Sequence, residues 1–198
     1  GYTTAEGLEE KIPPCEKVAT LNPTEVYLLK KIIKEQCAKG ATLQDDLKDT
    51  DVYERNEDKK LIGINWNDAS LKGNITLEGF SELQSLKCKN NELTGLDISK
   101  NSKLQSLECE NNKITYLNVC ENPELESLDC SSNELSELDV SKNSKLQELS
   151  SENNKISELD VSSNTLLQSL KAGGKVPSTV NVGTNSLLKE IGVMGDVE

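Results

Sequence analysis

Apolar residues recur along this chain with a period of 21. Leucines stand at Leu83, Leu104, Leu125, Leu146 and Leu167, and a second leucine column follows at Leu86, Leu107, Leu128, Leu149 and Leu170. Next come Cys88, Cys109, Cys130, Ser151 and Ala172, then Asn91, Asn112, Asn133 and Asn154, then Leu93, Ile114, Leu135 and Ile156. The second half of the unit carries Leu96, Leu117, Leu138 and Leu159, then Ile98, Val119, Val140, Val161 and Val182. A second asparagine column closes it at Asn101, Asn122, Asn143, Asn164 and Asn185. The unit reads L-x-x-L-x-C-x-x-N-x-L-x-x-L-D-V-S-x-N-x-x, and a fixed period of this length marks a stacked-repeat architecture.

Within L-x-C the two apolar residues are two apart, so both point to one side of a short strand. Each strand is expected to stack in parallel on the next, about 4.7–4.9 Å away. One unit cannot bury its apolar face alone, but stacking makes a continuous core. The asparagines fall where the chain must turn. Their amides are expected to satisfy backbone groups there and to pair with their neighbours up the stack. The L-D-V-S half also alternates, and 21 residues leave no room for a full helix, so short extended segments are predicted on the convex side.

The ends of the series depart from the pattern. In the first unit Leu61, Ile64, Trp66, Ala69 and Leu71 align with Leu83, Leu86, Cys88, Asn91 and Leu93, with one residue inserted near Gly73 and Asn74. The Trp66 indole suits a terminal unit that must meet a cap. At the other end Lys175 replaces Asn, Pro177 replaces Ile, and Gly173 and Gly174 interrupt the strand end. Leu188, Ile191 and Val193 still fit, so a last partial strand is predicted, with no polar cap after it and an edge open to pairing. The division is therefore 1–60 as an N-terminal helical cap and 61–198 as a solenoid of about six units.

Before residue 60 nothing repeats. Asn22, Pro23, Thr24 and Glu25 read as a helix start, with Asn22 as N-cap, Pro23 at the first helical position and Glu25 able to reach back. Val26, Leu29, Ile33 and Cys37 are predicted to form the apolar face, and Gly40 to end the helix. This helix is expected to cover the open end of the first repeat.

Composition then narrows the chemistry. The net charge is −12, there is no histidine, and Arg55 is the only arginine. No His base, His metal ligand, Ser-His or Cys-His dyad is available, and the charge disfavours nucleic acid. No apolar run approaches the roughly 20 residues of a membrane span. The chain starts at Gly1, which fits a removed signal peptide or an expression trim.

The column Cys88, Cys109 and Cys130 reads as a buried free-thiol ladder, because in-register parallel side chains point the same way and make poor bridge geometry. Together with Asn91, Asn112, Asn133 and Asn154 it forms the structural ladder of the fold. Cys120 sits where Ser99, Ser141 and Ser162 stand and is expected to be partly exposed. Cys15 and Cys37 are a candidate disulfide, with both redox states left open. Asp45, Asp46, Asp49 and Asp51 lack the alternation of a calcium loop and read as a solvated turn. Asp97, Asp139 and Asp160 read as residues of the convex turn. No metal and no cofactor is expected. The outward strand positions are the candidate binding face, and Lys87, Glu108, Glu110, Asp129, Glu148, Glu152 and Lys171 are its charged members. This face has no aromatic anchor.

The units at residues 104–119 (LQSLECENNKITYLNV) and 125–140 (LESLDCSSNELSELDV) resemble the 21-residue cysteine-containing leucine-rich repeats of bacterial surface and secreted proteins of the internalin J type. The resemblance implies an α/β class, a right-handed leucine-rich-repeat solenoid with a parallel sheet on the concave face, and an N-terminal helical cap. It also implies a non-enzymatic module at the cell surface or outside the cell that binds a protein or a host or cell-surface ligand. A structural spacer, or a fragment of a larger surface protein with no ligand of its own, is the alternative. The oligomeric state is left open, with a monomer favoured.

Overall fold

The computed structural model describes residues 21–176 and 178–194. One helix, α1 (Pro23–Ala38), precedes twelve strands. These are β1 (Tyr53–Arg55), β2 (Leu61–Asn65), β3 (Lys72–Thr76), β4 (Ser85–Lys87), β5 (Glu92–Asp97) and β6 (Ser106–Glu108). Then come β7 (Ser127–Asp129), β8 (Glu148–Ser150), β9 (Glu158–Asp160), β10 (Ser169–Gly173), β11 (Thr179–Asn181) and β12 (Glu190–Met194). Eight of them form one sheet in the order β1-β2-β4-β6-β7-β8-β10-β12. From β2 onward the neighbours are parallel, and Ile64, Leu86, Leu107, Leu128, Leu149, Leu170 and Ile191 lie in one row. The 21-residue period is thus the sheet register itself. The parallel sheet forms the concave side. Across the core the convex half runs extended and pairs where geometry allows, β3 with β5 and β9 with β11. The register irregularity between Gly73 and Asn74 falls at the expected insertion.

The inward leucine, isoleucine, valine and cysteine columns are buried and form a single core. The first asparagine column fastens its turns. Asn112 Nδ2 donates to the carbonyls of Cys88 (3.0 Å) and Cys109 (3.1 Å), and its Oδ1 accepts from the Leu93 N–H at 2.9 Å. Asn133 and Asn154 repeat this set on their own and the preceding unit. Asn91 donates to Trp66 and Cys88 and accepts from both Ala69 and Leu71. These amides do not pair with one another, contrary to expectation. Unmet backbone groups inside each turn cost more than an amide-amide contact would return. The second column behaves alike, with Asn122 donating to Ile98 and Asn101 and Asn143 to Val119 and Asn122.

A further column, unread in the sequence, sits just before the first asparagines. Asp68, Asn90, Asn111, Ser132 and Asn153 hold φ between 52° and 58°. Short polar side chains tolerate this left-handed conformation better than others. Here amides do link up the stack: Asn90 donates to Asp68 and Asn111 donates to Asn90, both at 2.9 Å. On the convex side the Oδ1 atoms of Asp97, Asp139 and Asp160 accept from the N–H of Ser99, Ser141 and Ser162, as Asn118 and Asn181 do from Cys120 and Gly183. The convex-turn reading of that column holds, and hydrogen bonds from the side chains of Ser99, Ser141 and Ser162, then from their N–H groups, keep the three carboxyls below their ordinary pKa.

Helix α1 starts as read, with Asn22 Oδ1 accepting from the Glu25 N–H at 3.1 Å and Pro23 at the first position. Its buried face is a correction. Glu25, Leu29, Ile33 and Gln36 face inward, while Val26 is half-buried and Cys37 is exposed. Two polar groups enter the contact because the end of a solenoid presents unpaired backbone as well as apolar surface. Glu25 does not reach back to Asn22. Its Oε2 accepts from the Leu61 N–H at 2.9 Å. Gln36 donates to the Lys72 carbonyl at 3.0 Å and accepts from the Lys72 N–H at 2.9 Å. Strand β1, also unforeseen, closes the sheet antiparallel to β2. Trp66 meets this cap: its Nε1 donates to the Tyr53 hydroxyl at 3.1 Å, and the two rings stand nearly perpendicular, 6.5 Å apart. Asp46 and Asp49 cap their own turns through the N–H groups of Lys48 and Asp51. The Cys15 and Cys37 pairing and the Pro177 position lie outside the described residues. Cys37 Sγ donates to the Leu43 carbonyl at 3.5 Å.

Candidate functional site

The concave strands alternate, so each central leucine turns inward and its two neighbours face out. This places Lys87 on β4, Glu108 on β6, Asp129 on β7, Glu148 on β8 and Lys171 on β10. Glu110 and Glu152 follow β6 and β8. Between them lies an open groove of about 310 Å³ with Ser127, Ser131, Ser150 and Ser169 in its lining. The stacking distance brings charges of successive units together. Lys87 pairs with Glu108 at 3.4 Å and Lys89 with Glu110 at 3.9 Å. Those pairs neutralise the N-terminal part of the face. Asp129, Glu148 and Glu152 make no ion pair among the described residues, and Asp129 instead accepts from the hydroxyl and N–H of Ser131. Burial raises the pKa of the Glu110 carboxyl, and the nearby Asp129 adds to the effect. The groove is therefore acidic at its centre, with Lys171 at its C-terminal margin.

The cysteine column lies behind this face. Cys88, Cys109 and Cys130 are at most 1% exposed. Burial pushes the Cys88 thiol up to about 12, and raises those of Cys109 and Cys130 as well. A thiolate in that core would be desolvated and without a counter-charge, so the thiols stay neutral and act as small apolar groups. Cys120 is half-buried on the convex side. Tyr116, the single aromatic of the regular repeats, is exposed there too.

Sequence reading located the outward charges but not their pairing. Glu108 and Glu110 are engaged by lysines one unit earlier, a signal present in the 21-residue spacing of Lys87 and Glu108 and of Lys89 and Glu110. The flanks follow the same rule, with Glu82 and Lys103, Glu124 and Lys145, and Glu92 and Lys113 in contact. Glu134 bridges two cations, Lys155 at 2.7 Å and Lys175 at 2.6 Å. Lys175 thus occupies an asparagine position and reaches back across two units, where its Nζ also donates to the Asn133 carbonyl.

Fold, register and ladders define a leucine-rich-repeat solenoid with a cysteine ladder. No protein-family model and no curated protein sequence matches the chain. Among solved structures it resembles the functional domain of InlJ from Listeria monocytogenes, which is described as including a cysteine ladder. The identity is 28%, the TM-score 0.62, and the match covers 78% of this chain and 37% of that one. The chain is internalin-like in its repeat type. A leucine-rich-repeat protein of Leptospira interrogans (21% identity, TM-score 0.52, 70% of this chain and 45% of that one) shares the fold. So does the internalin InlF of L. monocytogenes (20% identity, TM-score 0.50, 69% and 50%). The chain spans half or less of the length of each.

Proposed function

We propose that this chain is a non-enzymatic protein-interaction module that uses its concave face. The observation that carries the reading is the acidic groove around Asp129, Glu148 and Glu152, whose carboxylates make no ion pair among the described residues while the neighbouring units pair theirs. A rigid, regular floor of serines with unneutralised carboxylates at its centre suits a protein surface bearing complementary charge. We place the module at the cell surface or outside the cell, as for the internalin-like relatives. No helix among the described residues is long and apolar enough to cross a membrane. The test is capture of surface proteins by the intact chain, compared with the double variant Asp129→Lys, Glu148→Lys. A saturable partner lost in the variant supports the reading. A partner retained at unchanged affinity, or no saturable partner at all, removes it, and the second result leaves a structural spacer.

A further inference from the structure

We infer that the convex side carries a second docking surface, a trough between Tyr116 and Asp160 that takes an arginine-bearing segment of a protein partner. The trough exists because the convex backbone splays. The concave strands stack in unbroken register, and in a curved stack the outer halves of the units then stand further apart. Residues 114–119 and 135–140 form no strand. The Glu134 N–H donates to the Ile114 carbonyl at 2.9 Å, and the Lys155 N–H to the Leu135 carbonyl at 2.8 Å. Past those two bonds, no backbone–backbone hydrogen bond among the described residues joins 115–119 to 136–140, or 136–140 to 157–161. Two adjoining cavities open there, of about 390 Å³ and about 610 Å³, and they share Leu138, Asp139 and Glu158.

The floor of the trough is apolar, made by the inward Leu117, Leu138 and Leu159. The residues on either side of these leucines face out. The 21-residue register sets Tyr116, Glu137 and Glu158 in one row and Asn118, Asp139 and Asp160 in the next. Tyr116 is 59% exposed and stands at the end of the glutamate row. Glu137 thus lies one unit from Glu158, and Asp139 one unit from Asp160. Like charges placed opposite one another oppose stacking. On the flanks the same register does the reverse: Glu82, Glu92, Glu124 and Glu134 each hold a lysine of the next unit. The four trough carboxylates make no ion pair among the described residues, and Lys142 acts on Asp139 without pairing with it.

Charge and shape select the occupant. No three acidic or thiol groups among the described residues are placed to hold a metal ion, so the array suits a cation that spreads its charge. A guanidinium presents five N–H donors in one plane, can bridge carboxylates of two neighbouring units, and stacks on the face of a tyrosine. Its alkyl stem covers apolar floor while the charged head reaches the rim. Glu137 and Asp139 are two residues apart on an extended segment, about 6.6–6.8 Å, and arginines at alternate positions of an extended peptide have the same spacing. One guanidinium then meets Glu137, Glu158 and the Tyr116 ring, and the other meets Asp139 and Asp160. The surface lies across the core from the concave groove and is independent of it.

Amide NMR titration of the full chain with the end-blocked peptide Gly-Arg-Gly-Arg-Gly, at physiological salt, tests this, with the lysine counterpart as control. The expected result is saturable shifts at residues 116–118, 137–141 and 158–160, with weaker binding of the lysine peptide. Tyr116→Ala should weaken binding by about threefold. Glu137→Gln with Glu158→Gln should weaken it by about tenfold. These side chains are exposed, so the variants keep the fold. Asp129→Lys with Glu148→Lys should leave the convex shifts in place. No saturable shift, shifts confined to the concave strands, or binding indifferent to Tyr116 and to both glutamates overturns the proposal. The concave groove is judged by its own variant, so either surface can fail while the other stands.

Discussion

Gln36 makes with the backbone of Lys72 the two hydrogen bonds that a neighbouring strand would make. Its Nε2 donates to the Lys72 carbonyl at 3.0 Å, and its Oε1 accepts from the Lys72 N–H at 2.9 Å. One amide side chain on a helix thus ends the convex stack, while Glu25, three turns earlier on the same face, accepts from the Leu61 N–H of β2, whose sheet β1 closes.

Gln36→Ala should leave the Lys72 N–H and carbonyl without these partners and lower stability by about 1–3 kcal/mol. A urea titration followed by circular dichroism reads this as a lower midpoint at unchanged slope. Lys72→Ala keeps both backbone bonds and removes only an exposed 3.9 Å ion pair with Glu92, so its midpoint should stay within about 0.5 kcal/mol of the parent.

Asn133→Ala leaves the buried Ile114 N–H without its acceptor and takes one of two asparagine donors from each of the Cys109 and Cys130 carbonyls, which keep Asn112 and Asn154. One orphaned buried donor and two weakened acceptors predict a loss of about 1–3 kcal/mol. Thermal unfolding of the variant should begin well below that of the parent. Asn111→Gly, in the exposed left-handed column, should be nearly neutral, because glycine accepts the φ of 56° there.

The thiols should divide by position. At pH 8 an alkylating reagent should modify Cys120 in the folded protein, whereas Cys88, Cys109 and Cys130 should react only after denaturation. Peptide mapping by mass reads each of these four sites. Fast native modification of the ladder would disprove its burial.

The same thiols make stability fall in alkali. Cys88 is raised from 9.0 to about 12 in the fold, so above pH 9 the unfolded chain loses a proton that the native chain keeps. The native state then binds more protons, and unfolding free energy declines as pH rises from 9 towards 12, by at most about 1.4 kcal/mol per pH unit for each such thiol. Denaturation midpoints between pH 7 and 11 should show this slope. Cys88→Ala should reduce it.

Glu134 should titrate near 2, because hydrogen bonds from Lys155 and then Lys175 hold its carboxylate in the charged form. Its contribution to stability is present above the unfolded value of 4.5 and is lost as pH falls towards 2. The carboxylate is solvent-exposed, so the effect should be small and should shrink with salt. Carbon-detected NMR titration of the carboxyl, with Lys175→Ala as control, measures it.

Much of the architecture was legible in the residues. The strand row through Leu86, Leu107 and Leu128, the cysteine column, the irregular first unit and the last strand through Ile191 all follow from spacing, because each unit meets the same neighbours in the same register. The charged positions of the concave face were legible for the same reason, since period two decides which side chains face out. The pairing of Lys87 with Glu108, which leaves Asp129, Glu148 and Glu152 unneutralised, was not read, although the 21-residue spacing contains it.

The sequence by itself determined the repeat, its register and its core, since local alternation and a fixed period leave one way to bury the apolar columns. Tertiary structure alone decided how the stack begins. The helix turns Glu25 and Gln36 inward where amphipathic spacing suggested Val26 and Cys37, and β1 folds back to pair with β2. The reason lies outside the helix. The face it covers is the end of a sheet, whose unpaired N–H and carbonyl groups must be satisfied, and no periodicity within the helix reports on those partners.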